Sequence, residues 1–116
     1  MKYLLVIAAE ETPEQAGQNV DPYKMMAAYG AYLDAMASAG VLLGGERLKP
    51  AHTATTVRTR NGKTEVLNGP YAETREQLGG YLLIEVPDLD AALSWAARCP
   101  SAEIGSVEVR PIWPRA

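Results

Sequence analysis

Gly79-Gly80-Tyr81-Leu82-Leu83-Ile84-Glu85-Val86 is the stretch whose character decides the fold. Most of it is apolar at odd and even positions alike, and Tyr3-Leu4-Leu5-Val6-Ile7-Ala8 near the start of the chain reads the same way. Neighbouring strand residues point to opposite faces of a sheet, so a strand without a polar face is a central strand covered on both sides. Only two helices are available to provide that cover. The first opens at Asp21-Pro22, where an aspartate can cap and a proline at the first helical position loses nothing, and it ends at Gly40. Met25, Tyr29, Tyr32, Leu33 and Met36 fall on one stripe of it. Gly30, mid-helix, either allows close approach of a neighbouring element, which is the favoured reading, or is simply tolerated. The second helix opens at Pro87-Asp88 with Asp88 as cap, carries Leu89, Leu93, Ala96 and Ala97 as its expected inner stripe, and closes at Cys99-Pro100.

Around these elements the chain supplies further strands. Val41 to Leu48 reads as a strand bent at Gly44-Gly45. Thr53 to Arg60 and Lys63 to Leu67 flank Asn61-Gly62, the strongest hairpin signal in the sequence. Ser106 to Trp113 alternates as a last strand, while Glu10 to Val20 and Tyr71 to Leu78 read as loops. The order fits an α+β, ferredoxin-like split βαβ sandwich with an inserted β-hairpin, organised as one domain over residues 1-116. Two helices cover one face of such a sheet. The other face remains apolar and demands a partner, so a homodimer packed sheet to sheet is expected.

Composition narrows the function classes. Of 116 residues 47% are hydrophobic and 22% charged, and the net charge is -3 with a pI near 5.1. The positive field that draws a protein to phosphates is missing, so nucleic acid is not an expected partner. One cysteine, Cys99, permits neither an internal disulfide nor a thiolate zinc site and reads as structural, and no cofactor is implied. No stretch approaches the ~18 apolar residues of a membrane span. The short apolar run Tyr3 to Ala9, followed at once by Glu10 and Glu11, reads as a strand and not as a secretory signal. A cytoplasmic location is expected.

The segment Asn68-Gly69-Pro70-Tyr71-Ala72-Glu73-Thr74-Arg75-Glu76-Gln77-Leu78-Gly79-Gly80-Tyr81, with Leu83 to Val86, Asp88-Leu89-Asp90, Trp95 to Arg98 and Pro100 after it, resembles the YCII-related, DGPF-domain family. The likeness extends upstream through Ala39 to Leu42, Leu48, Pro50 and Ala54 to Arg58, and downstream through Gly105 to Pro111, so it covers nearly the whole chain. It implies a bacterial protein with a dimeric α+β barrel of ferredoxin-like subunits. The family is mostly of unknown activity and is often encoded beside extracytoplasmic-function sigma factors, which implies a sigma-factor association as an alternative to catalysis. Related YCII proteins include an enzyme that removes chloride from a chlorinated hydroxyquinol, with a proposed histidine and aspartate pair. Two departures matter. The signature aspartate and phenylalanine are Asn68 and Tyr71 here, and an amide cannot titrate. Tyr29 stands near where the histidine belongs, so that pair does not transfer, although Asp34 remains.

Candidate chemistry centres on the motif loop. Glu73 is the expected proton carrier, with Arg58 steadying developing negative charge, as in a lactone isomerase or a dehydrochlorinase. Tyr71 and Tyr81 could wall a small aromatic or anionic ligand, or simply pack. Arg75 adds a cation beside Glu73 and Glu76, which fall on one face if the loop makes a helical turn. His52, the single histidine, is either a solvated loop residue or a ligand contact; a metal there would need Glu46 and Glu73 beside it. Arg58 enters the dimer side if Val57 faces the helices, and its plain alternative is an ion pair between subunits.

Overall fold

A computed structural model describes residues 1–11, 21–72 and 74–115. Strand β1 (Lys2–Ala9) is followed by α1 (Pro22–Ser38), β2 (Leu42–Arg47), the hairpin β3 (Thr55–Arg60) and β4 (Lys63–Asn68), β5 (Gln77–Glu85), α2 (Leu89–Ala97) and β6 (Gly105–Pro111). Single 3-10 turns occupy Ala51–Thr53 and Pro100–Glu103. Four strands form an antiparallel sheet in the order β2-β5-β1-β6, the ferredoxin-like arrangement, with β1 and β5 in the centre as their patterning requires. The hairpin makes a separate two-stranded sheet, turned at Asn61 (φ 53°) and Gly62 (φ 76°), the two left-handed positions of its tight turn.

Register sorts the side chains into two layers. Tyr3, Leu5 and Ile7 of β1 and Leu82 and Ile84 of β5 face the helices and are buried, meeting Tyr32 and Met36 of α1 and Ala92 and Ala96 of α2. On the other face Leu4 pairs with Leu83 and Arg110, and Val6 with Tyr81 and Glu108, while Gly44 and Glu46 of β2 oppose Leu83 and Tyr81. The molecule measures 47 × 46 × 18 Å, the thickness of one helical layer on one sheet. Among the described residues no helix is long and apolar enough to cross a membrane.

Both helices begin as their sequences direct. Asp21 accepts from the Tyr23 and Lys24 amides, and Asp88 from that of Ala91. Tyr29, Tyr32, Leu33 and Met36 of the α1 stripe face the core and Met25 lies outside it; on α2 Ala96 is buried as expected, but the rest of the stripe is corrected, with Ala92 buried and Trp95 beside it, Leu89 and Leu93 48% and 46% exposed, and Ala97 exposed. Alanines let the helix sit close on the sheet, and the wide Trp95 ring, tilted against Tyr32, closes the margin that leucines were expected to fill. Nothing lies within 4 Å of a Cβ built at Gly30, so the close approach expected there is absent. Close approach occurs instead at Gly80, where a Cβ would meet the Glu46 carbonyl oxygen at 2.8 Å. The expected bend at Gly44-Gly45 is a register shift between Leu42 and Gly44. The final strand ends at Pro111, leaving Trp113 91% exposed, and β5 begins two residues early, so the motif loop stops at Glu76.

A polar cluster pins α1 to the far end of the core. The Tyr29 hydroxyl shares hydrogen bonds with Ser101 Oγ and, at 3.4 Å, with Cys99 Sγ, and the Tyr32 hydroxyl donates to the Trp95 carbonyl at 2.8 Å. Burial, then the bond to Cys99, pushes the Tyr29 phenol up from 10.0 to about 12, and burial raises Tyr32 as well.

Two outcomes follow from this packing. Ile84→Ala removes a fully buried side chain and is expected to cost about 2–5 kcal/mol in urea denaturation, whereas Leu93→Ala stays within about 0.5 kcal/mol. The neutral phenol is the form that the fold prefers, so the stability lent by Tyr29 is complete below pH 10 and is lost as pH climbs from 10 toward 12. Urea midpoints near pH 8 and pH 11 should therefore fall in the wild type, and fall less in Tyr29→Phe.

Candidate functional site

The chemistry-bearing residues gather at one end of the sheet, where β1 runs out, β5 begins and β6 begins. Ala9, the last residue of β1, pairs with Gln77 and with Gly105. Two acids follow it, and each holds a different loop. Glu10 Oε1 accepts from Arg75 Nε of the motif loop. Glu11 Oε1 accepts at 2.7 Å from the amide of Ala51, the residue before His52. On the same edge Ser106, which opposes Ala8 on the bare face, donates to Glu76 Oε1 at 2.7 Å. Glu10, Glu11 and Glu76 thus lie about this end of the sheet, each engaged by a donor from a different segment.

Their environments differ. The Arg75 side chain is 83% exposed, whereas the Glu10 side chain is only 9% exposed, and its second oxygen, Oε2, is buried and meets no hydrogen-bond donor among the described residues. Beside the lip, Tyr81 and Glu46 stand directly opposite each other on the bare face, Tyr81 at 37% exposure and Glu46 exposed. Val6 and Leu83 continue the floor between the central strands.

The other expected site residues are placed as follows. Arg58 lies in the hairpin and makes a cross-strand pair with Glu65 (Nε–Oε2 2.7 Å), not a pair with the motif loop. Val57 is 61% exposed and does not face the helices, so the condition that would send Arg58 into the dimer side fails. Arg58 and Tyr81 sit on separate sheets within the subunit. Tyr71 is 83% exposed, and His52 is exposed in its 3-10 turn. Glu73 lies outside the described residues, and with it the helical turn expected to align it with Glu76. Among the described residues no three His, Cys, Asp or Glu side chains stand close enough to hold a metal. Glu10 is the residue that the pattern reading passed over. It served there only to end an apolar run, yet an acid placed one residue beyond a central strand is carried to the sheet's end by the strand itself.

A depression of about 660 Å³ lies elsewhere, between α1 and the Pro100–Glu103 turn, lined by Asp21, Lys24, Met25, Tyr32 and Arg98. It is wide open and its polar groups have structural tasks: Asp21 caps α1, and the Arg98 guanidinium rests 4.4 Å from the Trp95 ring centroid. The lip, with its buried carboxylate, is the better site.

Comparison with known proteins adds three findings. The sequence model of the YCII-related domain matches residues 1–116. An uncharacterized protein of Rhizobium meliloti (strain 1021) is 36% identical over 114 residues, covering 97% of this chain and 92% of its own. Among solved structures, 5-chloro-2-hydroxyhydroquinone dehydrochlorinase from Burkholderia phenoliruptrix AC1100, in complex with 2,5-dihydroxybenzoquinone, matches with a TM-score of 0.54 at 14% identity over 100% of this chain and 96% of that one. At that identity the likeness shows the shared fold.

The Arg58–Glu65 pair has both side chains 44% exposed, so a double-mutant cycle with Arg58→Ala and Glu65→Ala should return a coupling of about 0.2–1 kcal/mol. A coupling well above that range would mean that Arg58 is buried by something beyond its own subunit.

Proposed function

Because the chain belongs to the YCII-related domain family, we propose that it works as a homodimer, joined through the bare face of its four-stranded sheet, that binds a small anionic or aromatic molecule at the lip of that face. The observation that carries the reading is the uncovered side of the central strands. Leu4, Val6 and Leu83 form an apolar floor that neither α1 nor α2 covers, on the same face as Tyr81 and Glu46 and running toward the end of the sheet where Glu10 and Glu76 lie. An apolar floor with a few convergent polar groups is the usual composition of a small-molecule site, and a second copy placed over it supplies the missing wall. A small chain buries only about two-thirds of its surface alone, so covering that face is also the economical route to stability.

The reaction class that suits this lip is proton transfer beside a cation. A carboxylate moves the proton and a guanidinium steadies the charge left behind, as a lactone isomerase or a dehydrochlorinase requires. That a dehydrochlorinase of hydroxylated aromatics shares the fold supports this direction. Within it Glu73 remains a proposed proton carrier, Arg75 is the cation on the lip, and Tyr81 the aromatic wall. Arg58 and His52 reach a ligand only if the second subunit brings them there. A cytoplasmic location suits a chain with one buried, unpaired cysteine. The competing reading is a non-catalytic module acting with a protein such as a sigma factor.

Sedimentation equilibrium at micromolar concentration is expected to give twice the chain mass, and Val6→Lys, which puts a charge on the floor, to give the monomer. Melting against small aromatic, lactone and carboxylate compounds should show at least one stabilising class, since a ligand at ~100 times its Kd adds about 2.7 kcal/mol. A monomeric wild type contradicts the dimer. A dimer that no compound stabilises favours the protein-interaction reading.

A further inference from the structure

The β3–β4 hairpin is the part of the subunit that its own fold accounts for least. It pairs with itself and not with the four-stranded sheet, and two strands alone are marginally stable in water. Its register sorts the side chains into two unlike faces. Thr55 opposite Asn68, Val57 opposite Val66 and Thr59 opposite Thr64 make a face without a charge, whereas Arg58 with Glu65 and Arg60 with Lys63 lie on the other. The uncharged face is the one a chain would bury, yet its central valines are 61% and 64% exposed. A cross-strand valine pair flanked by threonines is a packing surface, and the subunit packs little against it.

Charge identifies what does. Residues 47–68 hold five of the eleven basic residues and one of the fourteen acidic ones, a net charge of +4, which leaves -7 for the rest of the chain. The ion pair that the hairpin makes among the described residues, Arg58 with Glu65, lies within it. A basic arm thus stands on an acidic body, and a second copy presents that same acidic body. The arm also starts beside the bare face, because the Leu48 amide donates to the Gly79 carbonyl at 2.9 Å and the Ala51 amide to Glu11 at 2.7 Å, at the end of the sheet. Resting on the reading of the chain as a homodimer, we propose that the hairpin is a dimerisation arm. Its Val57 and Val66 face packs on the partner subunit at the margin of the bare sheet, and its cations lie in the partner's negative field. Strands of six residues reach about 20 Å, enough to cross such a margin. The ribbon is one layer thick, so the cations on its outer face stay within a Debye length, about 8–10 Å, of the surface beneath the valines.

Sedimentation equilibrium of the wild type and of the double variant Val57→Thr, Val66→Thr tests this. Threonine keeps the β-branched shape and strand preference of valine, and both positions are exposed in the subunit, so the variant is expected to fold. Its dimer Kd should be at least ten-fold higher, and the wild-type Kd should rise at least three-fold between about 50 and about 500 mM salt. Hydrogen exchange needs no variant: the amides of β3 and β4 should exchange at least ten-fold more slowly in the dimer than after dilution below Kd. A Kd that is the same in the double variant or does not rise with salt, or equal exchange in monomer and dimer, overturns the arm alone and leaves the sheet-to-sheet dimer standing. Slowing of that exchange by heparin and not by dimerisation also overturns it, by giving the arm to a polyanion. A wild type that stays monomeric overturns the arm and the homodimer together.

Discussion

A sheet has two faces, and the two helices of the described residues cover one. That constraint organises the structure. Tyr3, Leu5, Ile7, Leu82 and Ile84 are buried beneath α1 and α2, while Leu4, Val6 and Leu83, only partly buried, point to the opposite face, which neither α1 nor α2 covers. A strand apolar on both faces is stable only where both are covered, so burial on one side creates an unsatisfied surface on the other. The helical side is closed by small residues and rings: Ala92 and Ala96 bring α2 near the sheet, and Tyr29, Tyr32 and Trp95 tie the helices to each other and to the Ser101 turn. The opposite face, which neither helix covers, runs out to the acidic end of the sheet at Glu10 and Glu76.

Much of this architecture was legible from residue pattern. The lack of polar alternation in Tyr3 to Ala8 and Tyr81 to Ile84 marks central strands, and they are central. Asp21-Pro22, Asp88 and Asn61-Gly62 act locally, through caps and left-handed backbone, so their sequence neighbours suffice to read them. The inner stripe of α2 was misjudged because a moment built on leucine assumes that the largest apolar residues face inward. Here the distance from helix to sheet selects alanine, and that distance is a tertiary quantity. Gly30 misled for the same reason, since a glycine can mark close approach or merely be tolerated, and only the neighbouring element decides.

The site was legible in part. The motif loop was singled out, and Arg75 and Glu76 both reach the lip from it, but their partners Glu10 and Ser106 lie 65 and 30 residues away. Such pairings come from register: β1 must lie between β5 and β6 before Glu10 can meet Arg75 or Ala8 can bring Ser106 alongside. Arg58 was read through its neighbour Val57, yet the hairpin stands apart from the main sheet with Val57 exposed, so the face of Arg58 follows no core. Sequence spacing ranks candidate residues well within one element and poorly between elements.

The account's central claim is that the bare face of the β2-β5-β1-β6 sheet is covered by a second copy of the chain. The most direct measurement is an isotope-filtered nuclear Overhauser experiment on an equimolar mixture of 13C-labelled and unlabelled protein. The account predicts contacts between molecules at the methyl groups of Leu4, Val6 and Leu83. If contacts between molecules appear instead at Leu89 and Leu93 on the helical side, or if none appear and the protein tumbles as a monomer, the claim is contradicted.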